Sequence, residues 1–326
     1  MLGLEPCQPS DNLGDVAPVP LHESLPLEGG TIQLAEGELA RHRAQATRPL
    51  VIVIAMEFVS QIAPEVDRLV LSVNGRVTRE HGDRILAVAR QNGLESTALI
   101  GQLAPFMAAG TLTRDLGVLR MRYLAPEQLI ARIDELEKAG MLEQTDGSLS
   151  AGAGLGAVLD EGADALREVA ADQWGDQRQA VEEASAVARR VGDAATPDHV
   201  VAVVHREVPE PADPFPLLHQ RLVTLRFVRQ HDHAEAWLEK GLTPTQMVAL
   251  TDLWHGKETE SSPVIDELRG RGLVDLDPIR LSGEGLTMRQ EIEDETNRRN
   301  AETFSVLSDA EAEAFLTALQ ALPGTA

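Results

Sequence analysis

Arg114, Arg120, Arg122, Gln128 and Arg132 place four guanidinium groups and one side-chain amide in a single short stretch. These are the groups that hold phosphate oxygens and make bidentate bonds to base edges in the major groove of duplex DNA. They lie in a wider segment, 68 to 132, with nine arginines against five acidic residues, a local net of +4 in a chain whose formal net charge is −23. Broad attraction to nucleic acid or to an anionic membrane is excluded by that balance, so an anion-binding face must be local, and binding through it should depend steeply on salt. The competing reading is an ordinary solvated arginine face, or contact with the acidic segment 151 to 200, which holds four basic and ten acidic residues.

A second group, Arg226, Arg229, Asp232, His233 and Trp237, follows a helical spacing and supplies candidates for contact with a small ligand. Its alternative is an internal polar network in which Asp232 or His233 bonds Arg226 or Arg229. His231-Asp232-His233 with His219 invites a metal, but residues two apart on a helix diverge and no Cys or Glu-x-x-His pattern accompanies them, so no metal and no cofactor are expected. Gly152-Ala153-Gly154-Leu155-Gly156 lacks the spacing and the surrounding strand-helix-strand unit of a dinucleotide loop and reads as a joint before a helix. Gly-x-Ser-x-Gly, HExxH and Walker motifs are absent, and no enzyme activity is expected. Trp174, Trp237 and Trp254 with Met107, Met121 and Met247 read as core residues, the alternative being a pocket lining.

The elements that carry these residues follow from the chain's patterning. With 326 residues and 43% hydrophobic content the chain has enough apolar mass for about two domains. One cysteine, Cys7, and an N-terminus without a basic and apolar leader point to the cytoplasm, and no apolar run is long enough for a membrane span. Residues 1–47, acid-rich and broken by Pro6, Pro9, Pro18, Pro20 and Pro26, read as a disordered arm. Residues 48–79 read as a linking or dimerisation helix region: Phe58, Ile62, Val66, Leu69 and Val70 recur at helical spacing, while Leu50 to Ile54 fits strand or helix.

Ile133 to Leu142 lies over Ile265 to Val274 at an offset of 132 residues with five of ten positions identical. The same offset places Leu149-Ser150 over Leu281-Ser282, and Thr111 and Thr113 over Thr243 and Thr245, which suggests a duplication. In the first copy Thr113 can cap one helix, Pro126 can open a second through Lys138, Gly140 can stop it, and Asp146-Gly147 can turn a hairpin before another helix. The second copy repeats this with a helix over 243–255, a short helix opened by Ser262-Pro263, strands around Asp277-Pro278 and a helix over 283–300. Helix, turn, helix, hairpin, helix is a winged helix. The expected fold is mainly α with small β wings, as tandem winged helix-turn-helix domains over 80–172 and 214–326 joined by a connecting helix and linker over 173–213.

Leu225 to Trp237 (LRFVRQHDHAEAW), Gly241-Leu242-Thr243 and the wing exit Leu281-Ser282-Gly283-Glu284-Gly285 resemble actinobacterial helix-turn-helix proteins related to the MarR-like winged-helix regulators. The resemblance is best over 214–323 and weaker over 80–172. It departs at Ala153, where the family's wing exit has glycine, and in the acidic second helices of both copies. It implies a winged-helix transcriptional regulator with duplex DNA, a small-molecule effector and a second copy of the chain as expected partners. The first copy would touch DNA and the second serve dimerisation or sensing; Arg269 and Arg271, at the end of the second copy's short helix, offer contacts to DNA or, in the commoner role, complement the helix dipole. The alternative is a winged-helix module for a small molecule or a protein that has lost DNA binding, which the net charge favours.

Overall fold

The computed structural model describes residues 38–324, with side chains from Met56 onward. The expected arm lies outside the described residues up to residue 37, and residues 38–47 are helical. They begin α1, Glu38–Gln91, a single helix that includes the Leu50 to Ile54 run.

The chain continues through α2 Ala98–Ala108, α3 Arg114–Arg120, α4 Pro126–Lys138, β1 Leu142–Thr145, β2 Ser148–Ala151 and α5 Ala153–Trp174. A 3-10 turn at Gly175–Gln177 leads to α6 Arg178–Asp193, and α7 Val200–Arg206 follows. Then come α8 Pro214–Glu239, α9 Pro244–Trp254, α10 Pro263–Gly270, β3 Val274–Leu276, β4 Ile279–Leu281, α11 Gly283–Phe304 and α12 Asp309–Ala321. The protein is thus mostly helical with two small antiparallel strand pairs.

Local chemistry accounts for the helix ends. The Thr113 side chain accepts from the Leu116 amide, Ser262 from Ile265 and Ser282 from Gly285, and Pro126 and Pro263 open α4 and α10 where no amide hydrogen is needed. Thr243 and Gln246 form a reciprocal capping box on α9. Thr243→Ala is expected to cost about 1 kcal/mol, seen as a lower urea midpoint; an unchanged midpoint would show that the cap carries no weight. Asp146 and Gly147 both adopt positive φ, 51° and 85°, as a two-residue hairpin between β1 and β2 requires.

Three clusters of buried side chains organise these elements. The central one joins Val59 to Val73 of α1, Trp174 of α5, α6, the first half of α8, Phe304 of α11 and Phe315 of α12. A first lobe packs α2, α3, α4, β1, β2 and the start of α5 around Leu103, Phe106, Leu129, Ile133 and Leu149. A second packs the end of α8 with α9, α10, β3, β4 and Ile292 of α11 around Trp237, Met247, Leu250, Ile265 and Leu268. Each fully buried aliphatic side chain contributes about 1.5–3 kcal/mol, so the central cluster fixes how the two lobes sit.

That arrangement revises the expected divisions. The boundaries at 79/80 and 172/173 fall inside α1 and α5, because both helices run from the central cluster into the first lobe. The segment over 173–213 contributes Val181, Ala184, Ala188 and Val191 to the central core instead of acting as a linker. The ungapped repeat also needs correction. The helix-capping threonines are Thr113 and Thr243, an offset of 130, not 132. In the hairpins Leu142 pairs with Ala151 and Val274 with Leu281, so beyond the shorter second turn the offset returns to 130, and Leu149 corresponds to Ile279. The 132 register holds where α4 and α10 end, at Gly140 and Gly272, which both take positive φ.

Candidate functional site

In the first lobe α4 lies on the surface with Leu129 and Ile133 buried beneath it, exposing Glu127, Gln128, Ala131, Arg132, Asp134, Glu135 and Lys138. Of the five residues expected to contact DNA, Gln128 and Arg132 are in the open, Arg132 sharing its exposed guanidinium with Glu135 at 2.8 Å. Arg114 instead ties α3 to α4 through Asp134 and Glu137, and its pKa is raised, first by the bond to Glu137. Arg120 and Arg122 turn inward to α8 and leave the solvent-facing set, which corrects the expectation that they contact DNA.

The turn after α3 is clamped along α8. The Arg120 guanidinium lies 4.6 Å from the Phe227 ring centre, and Gln230 Nε2 donates to the Arg120 carbonyl at 3.0 Å. Arg120 also donates to Gln102 Oε1 at 2.5 Å, but its buried Nε has no partner among the described residues, and burial pushes its pKa down to about 10, with Arg226 adding to the fall. One turn further, Arg122 donates to Glu235 at 3.0 Å. Tyr123 then reaches the second lobe, its ring centre 6.1 Å from that of Trp237, and burial pushes its hydroxyl up to about 12 against a smaller pull from Trp237. Arg120, Arg122 and Tyr123, between α3 and α4, therefore meet successively later positions of α8, the helix that leads into the second lobe.

The ligand candidates on α8 do not converge. Arg226 pairs with Asp67 of α1 at 2.6 Å, and Arg229 with Asn297 and Glu293 of α11 at 2.8 and 2.9 Å. Asp232 is buried and accepts from His199 Nε2 and Asn300 Nδ2, each at 3.1 Å. His233 meets Thr296 Oγ1 at 3.1 Å, and Trp237 is core. The expected bond from Asp232 or His233 to Arg226 or Arg229 is thus replaced by partners on other elements, because α8 is surrounded on several sides. Trp174, Met107 and Trp237 fall in three different clusters, so they line no common pocket. Among the described residues no group of three His, Cys, Asp or Glu is placed to hold a metal ion.

Other histidines are structural. His205 meets Thr224 Oγ1 and His219 meets Asn74 Oδ1, each at 2.9 Å. Burial lowers His205 to about 3 and both His219 and His233 to about 4, from 6.5. A depressed histidine pKa means that the unfolded chain binds the proton more readily, so the stabilisation is complete above pH 6.5 and is lost as the pH falls toward 4. The urea midpoint is expected to drop clearly between pH 7 and pH 5; a flat midpoint over that window would contradict the neutral buried state.

The second lobe differs at its surface. α10 is shorter than α4 and exposes Asp266, Glu267 and Arg269, the last 3.5 Å from Asp266. Arg271 donates to the carbonyls of Lys240 and Gly241 at 2.9 Å each, capping the end of α8, a helix other than the one it follows. Gly285 packs so tightly that a Cβ there would come within 2.1 Å of the Leu273 carbonyl oxygen, which explains the glycine at this wing exit. At the first wing exit the close approach is at Gly152, 2.5 Å from the Gly140 oxygen, so Ala153 is accommodated.

Sequence reasoning missed an open cleft of about 680 Å³ between α1, α8 and α11, lined by Ser60, Asp67, Arg68, Arg229, Glu293 and Asn297 among others. The available signal was Pro64, an imino acid inside an apolar helical pattern. Among the described residues no helix is long and apolar enough to cross a membrane.

No curated protein and no solved structure matches the chain significantly. A family model described as a helix-turn-helix family does match, over residues 150–325, from β2 through the second lobe and its supporting helices. That span is more than half of the sequence, and the chain belongs to this helix-turn-helix family.

Proposed function

We propose that the protein is a tandem winged-helix regulator of transcription, acting in the cytoplasm without catalysis, in which the first lobe contacts duplex DNA and the second is specialised for other contacts. The observation that carries this reading is the solvent face of α4, a thirteen-residue helix followed by a hairpin, with Gln128 and Arg132 exposed; it precedes the span 150–325 that matches the helix-turn-helix family. In the major groove Gln128 would bond adenine N6 and N7 and Arg132 guanine O6 and N7. Glu127, Asp134 and Glu135 oppose phosphate, so the complex depends on base contacts. With Arg114, Arg120 and Arg122 paired to other groups of the protein and Arg132 used on guanine, Lys138 is the cation of α4 left for phosphate. One such contact gives a log–log salt slope of about −1, shallower than the sequence suggests.

Both lobes stand on one shared core, so a single chain presents two winged-helix units where a one-lobe regulator would need two copies. A homodimer is not required by this reading. A second reading, a winged-helix module for a small molecule or protein without DNA binding, is favoured by the acidic face of α10. The two separate in a fluorescence-anisotropy titration of the full chain with a duplex from its own upstream region and a scrambled duplex as competitor. Binding that resists the scrambled competitor supports the regulator; no binding down to low salt supports the module.

A further inference from the structure

The cleft between α1, α8 and α11 offers unused acceptors on its α1 wall, which also holds Arg68, and unused donors on its α8–α11 wall, where the Glu293 carboxylate is balanced by Arg229 and Arg289. On α1, Asp67 Oδ1 accepts from Arg226, while Oδ2 has no bond among the described residues. Pro64, which lacks an amide hydrogen, leaves the Ser60 carbonyl without its helical donor on the same wall. Both are acceptors. Across the cleft Arg229 uses one hydrogen bond each to Asn297 Oδ1 and Glu293, which leaves Arg229 Nε and the Asn297 amide nitrogen as donors without partners among the described residues. Arg68 already donates to Glu65 and to the carbonyls of Leu319, Leu322 and Gly324, so it supplies field but no free donor. Ala63, Pro64 and Leu71 give the cleft an apolar lining.

We propose that this cleft binds a zwitterionic, amino-acid-like molecule. Its ammonium group would sit against Asp67 and the Ser60 carbonyl, its carboxylate against Arg229 and Asn297, and its apolar body against Ala63, Pro64 and Leu71. The volume of about 680 Å³ lies in the range of small-molecule sites and has room for a large side chain. A ligand there bridges α1, which runs into the first lobe, and α8 and α11, which run into the second, so it is placed to bias how the lobes sit. This deepens the regulator reading by naming an effector class, but the binding itself involves no DNA.

The test is isothermal titration calorimetry of the full chain with L-leucine, L-phenylalanine and L-tryptophan, and with N-acetyl-L-leucine amide as the uncharged control. At least one free amino acid should give saturable heat with millimolar or tighter affinity, and the control none. Asp67→Asn, which keeps the shape, and Ala63→Trp, which fills the cleft from its apolar lining, should each weaken binding at least tenfold. Thermal melts of both variants establish that they fold. No saturable heat from any of the three amino acids up to about 10 mM, or binding that survives Ala63→Trp, would overturn the proposal. Because no duplex is present, failure here leaves the DNA-binding reading untouched, and failure of DNA binding leaves this one untouched.

Discussion

Trp237→Ala is expected to lower the unfolding free energy by about 3–5 kcal/mol. The indole is 2% exposed and lies in the second-lobe cluster with Met247, Leu250, Ile265 and Leu268. Truncation would leave a cavity whose rim, on α8, α9 and α10, is held by capped helix ends and so collapses only partly. Tyr123 would lose its packing partner as well, loosening the point where the α3–α4 turn meets the second lobe. Urea denaturation followed by circular dichroism reads the effect. A loss below about 1 kcal/mol would mean that Trp237 belongs to an adaptable ligand pocket instead of a packed core.

Asp232→Ala is expected to cost a further, comparable amount, about 3 kcal/mol, by a different route. Its carboxylate is 4% exposed and satisfies both His199 and Asn300, joining α8 to α11 and to the residue that precedes α7. Removing it strands two buried donors. Asp232→Asn keeps the shape and one acceptor oxygen and should recover part of the loss, measured in the same urea titration. If alanine and asparagine were both neutral, the residue would have to be assigned to ligand contact and not to the fold.

These two residues also show how far the sequence could be read. Elements announced by local chemistry were legible: Thr113, Pro126 and Ser262-Pro263 open helices where their caps suggest, and Asp146-Gly147 turns the first hairpin. The long helices were harder. α8 contributes buried residues to all three clusters, so its apolar positions are not confined to one stripe. α1 runs on to Gln91, well past the helical pattern of Phe58 to Val70, through Gly75 and Gly82, and carries the region assigned to the first winged unit from residue 80. The site was less legible than the fold, because an arginine's role depends on partners distant in sequence. Nothing near Arg122 announces Glu235, and nothing near Arg226 announces Asp67. Arg132, whose partner Glu135 is on the same helix, was the simplest to place.

The proposed function has duplex DNA read by α4 and not by α10. Its most direct test is the affinity of the full chain for its upstream duplex, measured by anisotropy for Gln128→Ala, Arg132→Ala and Arg269→Ala. Each lost base contact on α4 should cost about 1–3 kcal/mol in binding, roughly a tenfold or greater weakening, with the melting temperature unchanged because both side chains are exposed. Arg269→Ala should bind as the unmodified chain does. Equal affinity across all three variants, or a loss confined to Arg269→Ala, would contradict the assignment of the DNA face to the first lobe.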